Sequence, residues 1–224
     1  MFIPIRDDNP CKTFPIVTVA LIIINASIFL VSRKFNPFAA PSLHFSNFFS
    51  FMPIEFTGDL LRVGSPRPVW LSLFTSMFMH ANLWHLIGNI WYLWLFGNRV
   101  EVRYGRTAFL TLYLMWGVSA ASLHLLISSD PAVATVGASG AIAGVLGSYM
   151  LLFPKATIGG IWPLFYVFLP GELPAVIVLG QWFLLQLLAF QPGVAYLAHI
   201  GGFIAGMISA IIFLAGVFIL KRNM

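Results

Sequence analysis

The chain has 224 residues, of which 59% are hydrophobic and only 8% are charged, and its mean hydropathy is +0.91. The core of a soluble protein cannot hold this much apolar surface, so the composition excludes a soluble domain and indicates a polytopic membrane protein. The net charge of +5 does not indicate a nucleic-acid partner, because the basic residues lie between apolar segments, where they set topology and contact membrane lipids.

Six apolar segments could cross a bilayer, which takes about 20 residues for a helix, or fewer if neighbours shield its ends. They are 14–32, 80–98, 107–127, 138–153, 173–190 and 197–219. The first follows a short tail, 1–13, and lacks a convincing cleavage site, so we expect it to remain as a membrane helix. We therefore expect an all-α polytopic membrane protein whose residues 1–224 form one six-helix domain.

Two connections between these segments are unusual. The loop 33–79 is rich in Phe and Pro, a poor composition for a solvated linker, so we expect it to be partly embedded in the outer membrane interface. The stretch 156–170 is apolar but short and contains Gly159, Gly160, Pro163 and Pro170. This composition predicts a re-entrant or interfacial connector rather than a seventh span.

The basic residues orient the predicted bundle. If the amino terminus is inside, eight of the 12 Lys and Arg residues lie on the inner side, and the others all lie in 33–79, a long loop whose charges count for less. This bias predicts that both termini are cytoplasmic. The short tails suggest a prokaryotic plasma membrane.

In this orientation three helices carry polar groups near their outer ends. His85 and Asn89 are four residues apart and share a helix face, Ser139 begins the fourth helix, and His199 begins the sixth. Ionisable residues at such depth usually face the interior of the bundle and serve a function. We therefore predict one pocket below the outer surface that contains all four side chains.

These residue types suit acyl transfer. A serine hydroxyl becomes a strong nucleophile when a nearby base takes its proton, and histidine is a suitable base, so Ser139 and His199 form a minimal catalytic pair. The oxyanion of the tetrahedral intermediate needs donors, which the Asn89 amide, the His85 ring and the Ser139 backbone N–H could supply.

Glycines surround this predicted pair. Gly137 and Gly140 flank the serine and permit a tight turn and the close approach of a substrate. Glycines also form a narrow face on the fourth helix, with Gly144, and on the sixth, with Gly202 and Gly206. Close packing of these two helices would bring Ser139 and His199 together.

The composition argues against metal or redox chemistry. Cys11 is the single cysteine, and no spacing of cysteine and histidine is typical of a zinc site. The chain has neither the HExxH motif of a zinc protease nor a pair of intramembrane aspartates. We therefore expect no metal and no cofactor.

Each of these residues also has an ordinary structural interpretation. A serine in a membrane helix often serves packing, glycine spacing is common there, and a histidine at a helix end, such as His124, often lies at the interface. A proton-coupled carrier could use His80, His85 and His199 as relay groups. Carriers of that kind usually have paired repeats and broken helices, and the sequence has neither.

Four segments resemble the rhomboid family of intramembrane serine proteases. They are HANLWHLIGN at 80–89, GNRVEVRYG at 97–105, GASGAIAGVLG at 137–147 and AHIGGFIAG at 198–206, and they span most of the chain. The resemblance implies a six-helix core, with Ser139 as nucleophile, His199 as general base, and His85 and Asn89 at the oxyanion. It also implies that the partners are single-span membrane proteins cleaved near the outer end of their helix, without metal or ATP.

Two departures from the family pattern are visible. Some members have Trp-Arg in the first loop, whereas Trp70 is followed here by Leu71. Members often place an aromatic ring against the basic histidine four residues after the nucleophile, where this chain has Ala143. What orients His199 is therefore open, and because Asp130 lies in the outer loop we expect a Ser-His dyad rather than a triad.

The resemblance leaves one alternative open within the family. Some rhomboid-like proteins are catalytically inactive and bind membrane clients, although such proteins typically lack the serine or the histidine. The route of substrate entry is also open; movement of the fifth helix, with 191–196 as a lid, is one expectation. The sequence predicts no oligomeric state.

Overall fold

The computed structural model describes residues 2–8, 13–41, 48–60, 69–127, 134–164, 167–188 and 194–222. The expectations for Cys11 and Asp130, and those for part of the loop 33–79 and of the segment 191–196, fall outside these ranges. The described chain is mostly helical, and three short strands form one sheet.

The helices are named here in chain order. They are α1 (Ile16–Ser32), α2 (Pro53–Leu60), α3 (Val69–Thr75), α4 (Leu83–Tyr92), α5 (Asn98–Tyr104), α6 (Arg106–Ile127), α7 (Ser139–Leu152), α8 (Ala175–Leu188) and α9 (Tyr196–Arg222). A 3₁₀ turn, Ser76–Phe78, follows α3, and a π-helical segment, Leu93–Gly97, joins α4 to α5. The strands are β1 (Ile3–Asp7), β2 (Thr157–Leu164) and β3 (Val167–Pro174).

Two helices are long and apolar enough to cross a membrane by length and composition alone. In the part of the chain that the structure describes, these are α6, with 22 residues, and α9, with 27. Shorter apolar helices include α1, α7 and α8. The six-span count therefore stays a prediction.

The expectation of an all-α chain is wrong at 156–170, because this stretch contains strands, while its expected re-entrant or interfacial position stays a prediction. β2 and β3 form an antiparallel hairpin there, and β1, from the predicted tail, pairs antiparallel with β2. A Cβ atom on Gly160 would lie 2.6 Å from the Phe2 ring, so glycine is what lets the tail pack on the hairpin. The sequence did not reveal this sheet because its first strand is more than 150 residues away from the other two.

The second predicted helix also differs at both ends. It begins at Leu83, because the Asn82 side chain caps it by accepting a hydrogen bond from the His85 N–H at 2.9 Å. It continues through the π-helical segment to Tyr104, beyond the predicted end at 98.

Within this extension Glu101 is buried and accepts hydrogen bonds from the backbone N–H groups of Val17 and Thr18 at 3.0 and 2.7 Å. Glu101 thus caps the start of α1 and fixes it against α5.

Part of the loop 33–79 packs against the bundle. Phe51 and Met77 are buried, whereas Phe35 and Phe38 are exposed.

Arg33, expected to be an outer-side charge, is buried and donates hydrogen bonds to the carbonyls of His80 at 3.1 Å and Ala81 at 2.5 Å. Burial lowers the pKa of Arg33 from its ordinary value. Its guanidinium nevertheless stays charged and links the end of α1 to the segment before α4.

The core surrounds α7, which is buried from Gly140 to Tyr149. α7 packs closely on α9, and the beginning of α7 and the beginning of α9 lie together. We call this the site end of the bundle; the other end of α7, next to the three strands, is the sheet end. At the sheet end Asp7 pairs with Arg99 at 3.1 Å and accepts a hydrogen bond from the Tyr149 hydroxyl at 2.5 Å.

Candidate active site

Ser139 and His199 lie within hydrogen-bond distance at the site end. Ser139 is the first residue of α7, and His199 is in the first turn of α9. The distance from Ser139 Oγ to His199 Nε2 is 2.8 Å. Both side chains are half-buried, so they are screened from bulk solvent without being sealed off.

Glycines bring the two helices this close. Gly202 lies against the carbonyl of Gly140, and Gly206 lies against that of Gly144, so that a Cβ atom at either position on α9 would clash with the α7 backbone. The Ser148 hydroxyl adds a hydrogen bond to the Gly206 carbonyl at 2.8 Å. The predicted small-residue faces therefore do meet, and their contact sets the separation between Ser139 and His199.

Gly137 shapes the turn before the serine. Its φ is +123°, a backbone conformation that strains residues with side chains, and its N–H donates to the Ser76 carbonyl at 2.9 Å. A Cβ atom there would lie 2.7 Å from the His85 ring and 3.6 Å from Ser139 Oγ. The glycine thus allows the His85 ring to approach the serine.

His85 and Asn89 lie on α4, and both line the cavity that also contains Ser139 and His199. Asn89 is buried, and its amide donates a hydrogen bond to the His85 carbonyl at 3.0 Å, which leaves its second N–H for another acceptor. The His85 ring packs edge-on to that of His80, with the ring centroids 5.1 Å apart. The structure therefore brings together all the site residues that the sequence predicts.

These residues line a cavity of about 680 Å³. Its wall is formed by α4, α6, α7, the beginning of α9, the segment before α7, one residue of α8 and part of the loop 33–79. The wall includes Ser139, His199, His85, Asn89 and Gly137. This volume is within the range of pockets that hold small ligands or a short peptide segment. Within the described ranges, no group of three or more His, Cys, Asp or Glu residues is placed to hold a metal ion.

Two residues on α8 contact His199 and were not assigned to the site from the sequence. Gln186 Oε1 lies 2.7 Å from His199 Nδ1, and the Trp182 ring lies against the imidazole with the centroids 5.8 Å apart. Trp182 thus supplies an aromatic neighbour where Ala143 provides none. Their spacing of four residues, with a glutamine in an apolar helix, is the signal that could have placed them on one face.

The chain matches the family model described as the Rhomboid domain over residues 67–216. It is 33% identical over 152 residues to Rhomboid protein 1, mitochondrial, of Saccharomyces cerevisiae, which covers 62% of this chain and 40% of that protein. It is 31% identical over 132 residues to Rhomboid-like protein 11, chloroplastic, of Arabidopsis thaliana, which covers 59% of this chain and 40% of that protein. It is 37% identical over 81 residues to Rhomboid protease GluP of Bacillus subtilis, which covers 36% of this chain and 15% of that protein.

These comparisons correct one expectation and settle another. Relatives whose names carry a location are mitochondrial or chloroplastic, which points to an organellar membrane and contradicts the expected prokaryotic plasma membrane.

The chain spans less than half of the length of each of the three relatives. The family model covers well over half of the chain, and the resemblance noted from the four motifs is thereby confirmed. The chain belongs to the rhomboid family.

Proposed function

We propose that this chain is an intramembrane serine endopeptidase that cleaves transmembrane segments of membrane proteins. The observation that carries this proposal is the 2.8 Å contact between Ser139 Oγ and His199 Nε2 in a cavity inside a membrane protein. Family membership supports it, since relatives include proteins named as proteases. The proposed partners are transmembrane protein substrates and the surrounding membrane lipids.

The proposed reaction begins with proton transfer. His199 Nε2 takes the proton of Ser139 Oγ as the oxygen attacks the carbonyl carbon of the scissile peptide bond. The resulting imidazolium gives that proton to the leaving amine nitrogen, and an acyl-serine remains. A water molecule, deprotonated by the same histidine, then hydrolyses the acyl-serine and restores the hydroxyl.

The developing oxyanion has donors close to Ser139. The N–H of Ser139 is in the first turn of α7, where backbone donors lack intrahelical acceptors and the helix dipole favours negative charge. Asn89, whose amide has a second N–H to donate, and His85 also line the cavity. We assign these three groups to the oxyanion, with Gly137 leaving the space that they need.

Membrane position follows from helix lengths. We propose six membrane helices: α1, the continuous α4–α5 helix, α6, α7, α8 and α9. With 14 residues, α7 is about 21 Å long, less than the ~30 Å of a bilayer's hydrocarbon core. If its sheet end lies at one membrane surface, Ser139 lies below the other, where the cavity admits both water and a substrate helix.

Labelling with a fluorophosphonate tests the proposed nucleophile. The full-length protein, purified in detergent, is compared with Ser139→Ala and His199→Ala, and with Ser122→Ala as a matched serine control on α6, outside the cavity lining. Labelling that is lost in the first two variants and kept in the third supports the proposal. A folded wild type that is not labelled would overturn it in favour of a client-binding protein.

A further inference from the structure

The catalytic histidine has two ring nitrogens, and the mechanism above uses only Nε2. Nδ1 lies 2.7 Å from Gln186 Oε1 on α8, which is hydrogen-bond distance. A general base must keep Nε2 free of a proton, so the neutral ring must carry its proton on Nδ1. The partner of Nδ1 therefore decides whether Nε2 can accept the proton of Ser139.

The orientation of the Gln186 amide follows from its other contact. Its Nε2 donates to the Trp182 carbonyl at 3.1 Å. A carbonyl oxygen can only accept, so the amide nitrogen must face Trp182, and Oε1 must face His199. Because Oε1 can only accept as well, His199 Nδ1 must be the protonated nitrogen, which leaves Nε2 to accept the proton of Ser139.

Aromatic packing holds this arrangement in place. The rings of Trp182 and Phe183 stack on Phe203 of α9, with centroids 6.0 and 4.5 Å away, and Phe203 is fully buried. The contact joins α8 to α9 one turn below His199. Gln186 is thus presented by a packed helix rather than by a loop.

We propose that Gln186 is a positioning residue that fixes the tautomer and orientation of His199 through a continuous Ser139–His199–Gln186 hydrogen-bond chain. The inference rests on the proposed function. It gives this chain a neutral amide in the position that a carboxylate occupies in a catalytic triad. When Ser139 attacks, its proton moves to Nε2, the Nδ1 proton stays in the bond to Oε1, and the charge of the new imidazolium remains on the ring.

Three variants of the full-length chain test the role by kinetics on a model transmembrane substrate. Gln186→Met keeps size without the acceptor, and we expect kcat to fall about tenfold, with KM unchanged. Gln186→Glu keeps an acceptor and restores most of kcat. It also moves the acidic limb of the pH profile to higher pH, because a carboxylate stabilises the imidazolium. Gln181→Met is the matched control: it lies five residues before Gln186 on the same helix, and so on a different face, and we expect it to leave kcat and the pH profile unchanged.

The pH profile is interpreted against the other titratable groups near His199. In the described part of the chain these are His85 and Tyr92 on α4, His124 on α6 and Tyr196 on α9 itself. None is altered in the three variants, so a shift between Gln186→Met and Gln186→Glu reports on the group at 186.

Nitrogen-15 NMR of labelled histidines separates this inference from the proposed function. We expect the wild-type His199 ring to be protonated on Nδ1, and Gln186→Met to show a mixture of tautomers. A wild-type ring protonated on Nε2, or a Gln186→Met protein with wild-type kcat and tautomer, would overturn the inference. If the wild type cleaved nothing, the proposed function would fail, while the tautomer would still decide whether Gln186 positions the ring.

Discussion

Ser139 is accessible because it is the first residue of a buried helix. The side chains of the next residues of α7 are packed on all sides, whereas Ser139 is half-buried and faces the cavity. The segment before it is held by the bond from Gly137 N–H to the Ser76 carbonyl. The proposed nucleophile therefore has a defined backbone on both sides and faces the open space of the cavity.

Gly137→Ala is expected to lower fluorophosphonate labelling of Ser139 at least tenfold. The new methyl would be strained at a φ of +123° and would lie 2.7 Å from the His85 ring, so the turn or the ring must move. Gly105→Ala is the matched control, because Gly105 also has a positive φ, +85°, but no atom within 4 Å of the added Cβ. Equal labelling of the two variants would mean that strain alone, and not the space beside Ser139, explains the effect.

The residues of the site were predictable to different degrees. Ser139, His199, His85 and Asn89 stand in motifs whose residue types and spacing indicate chemistry, so the sequence predicts them. The spacing of Gln186 and Trp182 could have placed them on one face of α8, but their contact with His199 depends on the packing of α8 on α9, which no local pattern encodes. The Ser76 carbonyl is likewise a tertiary partner of Gly137, supplied by the loop 33–79.

Among the helices, the contact between α7 and α9 sets the distance from Ser139 Oγ to His199 Nε2. Each glycine there places one backbone against another, which a larger residue would prevent. The close contact between the two helices therefore sets the positions of Ser139 and His199.

Gly206→Ala is expected to destabilise the protein by about 1–3 kcal/mol, since its methyl would run into the Gly144 carbonyl and force the helices apart. Thermal unfolding in detergent measures the change, and labelling of Ser139 should fall with it. Gly216→Ala, also on α9 but with nothing within 4 Å of the added Cβ, should unfold like the wild type. A Gly206→Ala protein as stable as the wild type would show that the close contact does not support the fold.

The three-stranded sheet has a separate role at the other end of the bundle. Asp7 connects β1 to Arg99 of α5 and to Tyr149 of α7, and its side chain is only 7% exposed. This carboxylate therefore attaches the amino-terminal strand to the helical core.

Asp7→Ala is expected to lower stability by about 1–3 kcal/mol, because it leaves Arg99 and Tyr149 without their shared acceptor in a partly buried position. Ser139 labelling at low temperature should be unchanged, since the sheet is at the far end of α7. Asp8→Ala is the control, because Asp8 pairs with an exposed arginine, and little change is expected. Loss of labelling in a stable Asp7→Ala protein would contradict this separation of the two ends.

Helix positions were more predictable than their ends and partners. Long apolar runs indicate where α6 and α9 lie, but the extension of the second helix to Tyr104 depends on a tertiary contact of Glu101 with α1. The sheet depends on a strand from the opposite end of the chain. Both features are non-local, and hydropathy does not report them.

At the scale of the whole molecule, the proposed membrane position agrees with a half-buried Ser139 that lines a cavity inside the helix bundle. A short, buried α7 packed against the longer α6 and α9 would place Ser139 and His199 below the membrane surface and still admit water. At the sheet end, the ion pair of Asp7 and Arg99 holds charged groups that would be costly in a segment exposed to lipid. The proposed protease activity thus belongs to the site end, and the sheet end contributes to stability.

Cleavage of a single-span membrane protein in liposomes is the most direct test of the account. The full-length chain is reconstituted with a tagged substrate, and the products are identified by mass spectrometry beside those of Ser139→Ala. We predict one cut within the substrate's transmembrane segment or at its end, and no product with the variant. Cleavage that persists in Ser139→Ala, or an intact substrate with a folded and correctly inserted wild type, would contradict the account.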